Sequence, residues 1–136
     1  MLNKLNSKRA GFTLVEIMIV VAIIALLAAI AVPGFLRARK RSQASKVMND
    51  LRLIASAVDQ YAIEHGKKSS DLVGVDDWTN YLKKDTALYS TGEDVFGNAY
   101  GAQTVDSLPS VPQDTFDALS DVTDATFWSP YNPAAP

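Results

Sequence analysis

The chain has 136 residues and a formal net charge of −2, enough for one modest domain and an anchor. It has no cysteine and a single histidine, His65. That excludes thiol catalysis, a disulfide-closed loop and cysteine-based metal sites, and leaves little room for His-led catalysis or a His-rich metal site.

The charge is polarised along the chain. Residues 1–52 hold nine basic side chains against two acidic, residues 53–84 four against five, and residues 85–136 none against eight. A basic half and an acidic half favour head-to-tail association of copies, although most such charges are simply solvated.

From Ile17 to Leu36 no residue is charged, and Glu16 stands just inside the leading edge. Twenty residues at about 1.5 Å each span roughly 30 Å, the thickness of a bilayer core. A secretory signal peptide is one reading, with Lys4, Lys8 and Arg9 as its basic region and Ala29-Ile30-Ala31 as its cleavage site. However, the apolar stretch from Phe12 to Ala28 is longer than the usual ~7–15 residues, and Glu16 interrupts it. A plain single-pass anchor is a second reading. It leaves Glu16 unexplained, and basic residues on both flanks prevent the positive-inside rule from orienting it.

A third reading accounts for more residues. "RAGFTLVEIMIV" (Arg9 to Val20) resembles the N-terminal processing signature of type IV pilins and of the pseudopilins of type II secretion. The resemblance runs from about Lys8 to Phe35 and includes Pro33. It implies that residues 1–11 are a basic leader ending in Gly11, cut off by a prepilin peptidase. Phe12 becomes the N-methylated first residue, and Glu16 occupies the family's glutamate position. In that family the glutamate of an incoming subunit neutralises the terminal amine of a subunit already in the filament. An ionisable group near hydrocarbon is costly without such a partner, so mispairing is penalised. The plainer alternative is a Glu16 side chain that snorkels to the headgroups.

Pro33 removes a backbone donor, so a kink or local melting is expected near the end of the apolar run. Arg37, Arg39, Lys40 and Arg41 then read as an interfacial charge belt, in preference to a nucleic-acid site. Beyond them, apolar residues at 44, 47, 48, 51, 54, 55, 58, 61 and 62 have the spacing of an amphipathic helix with one buried stripe. Gly66 is a plausible stop, so the helix is expected over Phe12 to His65.

The distal region is rich in Asp, Ser, Thr, Gly and Pro. "DDWTNYL" (Asp76 to Leu82) reads as a short helix capped by Asp76 or Asp77, with Trp78, Tyr81 and Leu82 packing inward. "VFGNAYGAQTV" (Val95 to Val105) reads as a turn at Gly97-Asn98 with a strand or hairpin. "FDALSDV" (Phe116 to Val122) reads as a further helical turn or two, and the proline-rich tail "WSPYNPAAP" as extended. Asp114, Asp117, Asp121 and Asp124 offer hard oxygen ligands. Their three-four-three spacing also suits the solvated face of a helix and lacks the EF-hand pattern.

"DVFGNAY" (Asp94 to Tyr100) resembles the "D-P-W-G-N-P-Y" element of major pseudopilins, departing from it at Val95, Phe96 and Ala99. The lack of cysteine also suits pseudopilins better than many type IV pilins. The resemblance therefore implies a pilin-like α+β fold, a long N-terminal helix packed on a small antiparallel sheet or hairpin with short helices and loops. Residues 12–36 would be the transmembrane and assembly half of the helix. Residues 37–136 would be a periplasmic amphipathic helix plus small globular domain, on a single-pass inner-membrane protein.

Its implied role is a structural filament subunit, a pseudopilin driving protein export through a periplasmic pseudopilus. The alternative is a type IV pilin for motility, adhesion or DNA uptake. Implied partners are the prepilin peptidase, other copies of the chain, minor pseudopilins, the inner-membrane assembly platform and membrane lipid, with no nucleic acid required. Calcium is the one cofactor the family suggests, at the four aspartates above. No nucleophile motif, metal set or phosphate loop marks the distal 70 residues as an enzyme.

Overall fold

In a computed structural model, residues 10–133 are described. The leader residues Lys4, Lys8 and Arg9 and the last three residues of the tail lie outside them. The chain divides into two compact units, the first ending at Leu36 and the second beginning at Arg37.

Helix α1 (Leu14–His65) starts two residues later than the sequence predicts and ends where it predicts. Pro33 lies inside it without ending it. A proline removes only its own N–H from the ladder, and neighbouring hydrogen bonds carry the helix through, so no melted turn is found there. The stop at Gly66 is a Schellman motif. Gly66 has φ +61°, and the Lys67 N–H donates to the Ala62 carbonyl at 2.9 Å.

Within the second unit the stripe on α1 is buried as its spacing predicts. Ala44, Val47, Met48, Leu51, Ile54, Val58 and Ala62 all face the core, while Ala55 and Tyr61 are only half-buried. Against the stripe pack Val73, Trp78, Val105, Val111, Leu119 and Trp128. Both indoles find partners, Trp78 Nε1 donating to the Gly101 carbonyl (3.2 Å) and Trp128 Nε1 to Thr123 Oγ1 (3.1 Å).

The sheet is minimal. Strand β1 (Leu72–Val73) pairs antiparallel with β2 (Gln103–Thr104), Leu72 opposite Thr104 and Val73 opposite Gln103. The segment Val95 to Val105 does form a turn at Gly97, with a single bridge between Glu93 and Ala99. Its strand, however, pairs with a segment some thirty residues earlier and not within a local hairpin.

Four short helices complete the unit. Helix α2 (Val75–Thr79) begins one residue before the expected start, with Gly74 as N-cap in place of Asp76 or Asp77. Asp77 still serves the cap, because its carboxylate accepts the Gly74 N–H at 3.1 Å. Helix α3 (Ala87–Thr91) and helix α5 (Ala125–Trp128) were not foreseen. Helix α4 (Gln113–Ala118) starts earlier than the predicted turn and stops before Val122, and Trp128, placed in an extended tail, is helical.

Candidate assembly site

The N-terminal segment is built from the helix start outward. Thr13 precedes α1, and its Oγ1 accepts the Glu16 N–H at 3.2 Å. In return the Glu16 carboxylate accepts the Thr13 N–H at 2.8 Å. This is a reciprocal capping box, which satisfies two of the donors that every helix start leaves open. It also sets a carboxylate at the positive end of the helix dipole. Sequence reasoning missed this role, although the signal was present: "TLVE" is the S/T-x-x-E pattern ahead of an apolar run.

Gly11 and Phe12 lie just outside the helix, and Phe12 is 84 % exposed. A Cβ built on Gly11 would meet nothing within 4 Å, and its φ is not in the left-handed region. The folded chain therefore gives no packing reason for glycine there. From Leu14 to Leu36 every residue is exposed, including Ile17, Met18, Leu26, Leu27, Ile30 and Phe35. Helix α1 is long and apolar enough over this part to cross a membrane. Contiguous apolar surface of this extent on a folded chain marks an interaction surface for lipid or protein.

The acidic candidates of the distal region are not brought together. Asp114 lies in the first turn of α4, and Asp117 accepts from Gln113 Nε2 at 2.9 Å. Asp121 pairs with Lys40 Nζ at 2.8 Å, and the neighbouring ammonium holds its carboxyl below the usual range. Asp124 caps α5 by accepting the Phe127 N–H at 2.9 Å, and bonds from Thr126 and Phe127 lower it likewise. The spacing misled because α4 ends at Ala118, so no single helix carries all four residues. Among the described residues no group of three or more His, Cys, Asp or Glu side chains is placed to hold a metal ion.

The Asp94 to Tyr100 element is a hydrogen-bonded loop. One oxygen of the buried Asp94 carboxylate accepts the Phe96 and Asn98 N–H groups at 2.8 and 3.0 Å, and the other accepts the Thr115 hydroxyl. Asn98 Nδ2 also reaches Thr115 Oγ1 at 2.7 Å. Aspartate and glycine (Gly97, φ +82°) thus serve the turn itself, and the Asn98 side chain ties it to Thr115.

A family model described as the prokaryotic N-terminal methylation motif matches residues 6–32. The chain carries a type IV pilin-like, prepilin-type N-terminal signature. It is 40 % identical over 67 residues to the type IV major pilin protein PilA of Myxococcus xanthus, covering 49 % of this chain and 30 % of that protein. It is 40 % identical over 75 residues to the type IV major fimbrial protein FimA of Dichelobacter nodosus, covering 55 % and 45 %. With the type IV major pilin protein PilE1 of Neisseria gonorrhoeae it shares 41 % over 63 residues, covering 46 % and 38 %. The matches span less than half the length of these curated relatives. No solved structure matches.

Proposed function

We propose that the chain is a filament subunit of the type IV pilin-like class, held in the inner membrane by its apolar helix segment and then polymerised through it. The observation that carries this reading is the juxtaposition at the helix start. Gly11, with no structural reason to be glycine, immediately precedes Phe12, and Glu16 follows at the head of an uncharged, wholly exposed helix face. Cutting after Gly11 creates an amine four residues before Glu16. The carboxylate of one copy then neutralises the amine of another as both leave the headgroup region, and the cost of leaving either unpaired sets the registry. The role is structural and not enzymatic.

The partners follow from that reading: a prepilin peptidase, further copies of the chain, the assembly platform and lipid. Two destinations are each favoured by one observation. The names of the relatives, type IV major pilins and fimbrial proteins, favour a surface pilus. The Asp94–Tyr100 loop, with its likeness to the pseudopilin element, favours a type II secretion pseudopilus.

The test is made in cells with a prepilin peptidase. The N-terminal peptide of the purified protein is expected to begin Phe12-Thr13 and carry one methyl group. A peptide beginning upstream of Gly11, or at Val32, overturns the reading. Sheared surface filaments lost on deletion of the gene mark the pilus. Loss of exported proteins with an unchanged surface fraction marks secretion.

A further inference from the structure

Four of the five residues that follow the uncharged run are basic: Arg37, Arg39, Lys40 and Arg41. The chain itself uses only one of these charges. Lys40 Nζ meets both oxygens of Asp121, at 2.9 and 2.8 Å, in the one salt bridge among the described residues. The three arginines are exposed, and Arg37 acts on Asp121 only from beyond salt-bridge distance. Helix α1 runs through all of them. At about 100° per residue, Arg37 and Arg41 share one side of it and Arg39 stands roughly 160° round from both. A protein surface docks on one side of a helix, whereas a layer of lipid headgroups surrounds it. The segment 37–41 also covers about 7.5 Å of helix, close to the depth of the ~5–7 Å headgroup layer on one side of a bilayer core. Lys46 and Arg52 are exposed and unbridged too, but they stand about 15 and 24 Å past Leu36, beyond that layer.

We propose that Arg37, Arg39 and Arg41 bind the phosphates of anionic phospholipids encircling the helix, while Lys40 stays with Asp121. A guanidinium meets phosphate oxygens bidentately, and an anionic leaflet attracts each such cation. The rest of the unit does not share the task. Residues 42–136 hold six basic side chains against fourteen acidic, so the same leaflet repels them within a screening length of about 8 Å. The inference rests on the reading of residues 12–36 as bilayer-spanning, and it adds the class of lipid. It also gives assembly a further step, because a copy that enters a filament must give up these phosphates.

The test places the full chain in phosphatidylcholine bilayers with a trace of spin-labelled phosphatidylglycerol or phosphatidylcholine, and reads the motionally restricted fraction of each label. The wild-type chain is expected to favour phosphatidylglycerol roughly fivefold at low salt, about the effect of one cation at an anionic surface. The preference should fall towards parity in salt of about 1 M, where the screening length is about 3 Å. Arg37→Gln, Arg39→Gln and Arg41→Gln combined are expected to remove most of it, and Arg37→Lys, Arg39→Lys and Arg41→Lys combined to keep it. Arg52→Gln, Lys68→Gln and Lys84→Gln combined, which remove exposed cations elsewhere, are expected to change nothing. Lys4, Lys8 and Arg9 are common to every variant, so the comparison isolates the three arginines. Equal restriction of both labels by the wild type overturns the inference and leaves the filament reading standing, as does a preference lost only in the Arg52, Lys68 and Lys84 variant. A preference that survives loss of the three arginines while filaments disappear also overturns it, and assigns them to a neighbouring copy. A wild-type chain that restricts neither label overturns the bilayer-spanning reading as well.

Discussion

Glutamine in place of Glu16 separates charge from capping. A glutamine at the third helical position still accepts the Thr13 N–H, so Glu16→Gln keeps the helix start intact, whereas Glu16→Ala removes cap and charge together. Both variants are expected to be processed normally at Gly11 and to yield few filaments. Filament recovery from Glu16→Gln at the wild-type level would show that the carboxylate serves the cap alone. Replacing Gly11 with leucine should leave uncut precursor in the membrane, visible as the mass of the retained leader. Asp50 gives a residue-scale pH effect whose sign is fixed. Burial, foremost, and the nearby Asp94 raise its carboxyl above the ordinary value, outweighing Lys46 and Tyr100. Its contribution to stability is thus full below the unfolded-state value and lost as pH rises through the folded-state one. Asp50→Asn is expected to raise the monomer's melting temperature at neutral pH, with the gain closing below about pH 4. A gain independent of pH would exclude titration as its source.

At the level of elements, the loop Asp94–Asn98 and helix α3 show what short segments depend on. Asp94→Ala strands two backbone donors and the Thr115 hydroxyl in a mostly buried setting, for an expected loss of about 2–4 kcal/mol in a denaturant titration. Gly92 ends α3 with φ +66°, and a Cβ there would stand 2.7 Å from Val75 Cγ1. Gly92→Ala is expected to cost about 1–3 kcal/mol by strain and crowding together. These elements also mark the limit of what sequence conveyed. Helix α1 was legible because seven of its buried positions repeat at helical spacing over five turns. The two-residue strands were not, because period-2 alternation cannot show in two residues, and β1 finds its partner only through the fold. Helices α3 and α5 are one turn each, and their caps, Thr86 and Asp124, stand among many other Ser, Thr and Asp residues that could serve equally. At the candidate assembly site, Gly11, Phe12 and Glu16 are singled out by the motif, and their roles in processing and pairing are those proposed above. The capping role of Thr13 is not, because the glutamate that completes the cap already has a place in the motif.

For the whole molecule, the scattering of Asp114, Asp117, Asp121 and Asp124 leads to an expectation about metals. Three of the four carboxylates are engaged by Gln113, by Lys40, or by Thr126 and the Phe127 N–H. Chelation with EDTA is accordingly expected to leave the melting temperature unchanged, and a fall restored by calcium would reveal a site these contacts do not supply. The side chains of Ile17 to Leu36 contribute nothing buried to the fold of the single chain. On the proposed filament reading, substitutions there are tested by lipid and by neighbouring copies, and not by whether the single chain folds. That reading sets two kinds of heredity along one polypeptide: beyond Leu36, drift is checked by whether a chain can fold by itself, and before it, by whether a population of chains still recognises its own kind.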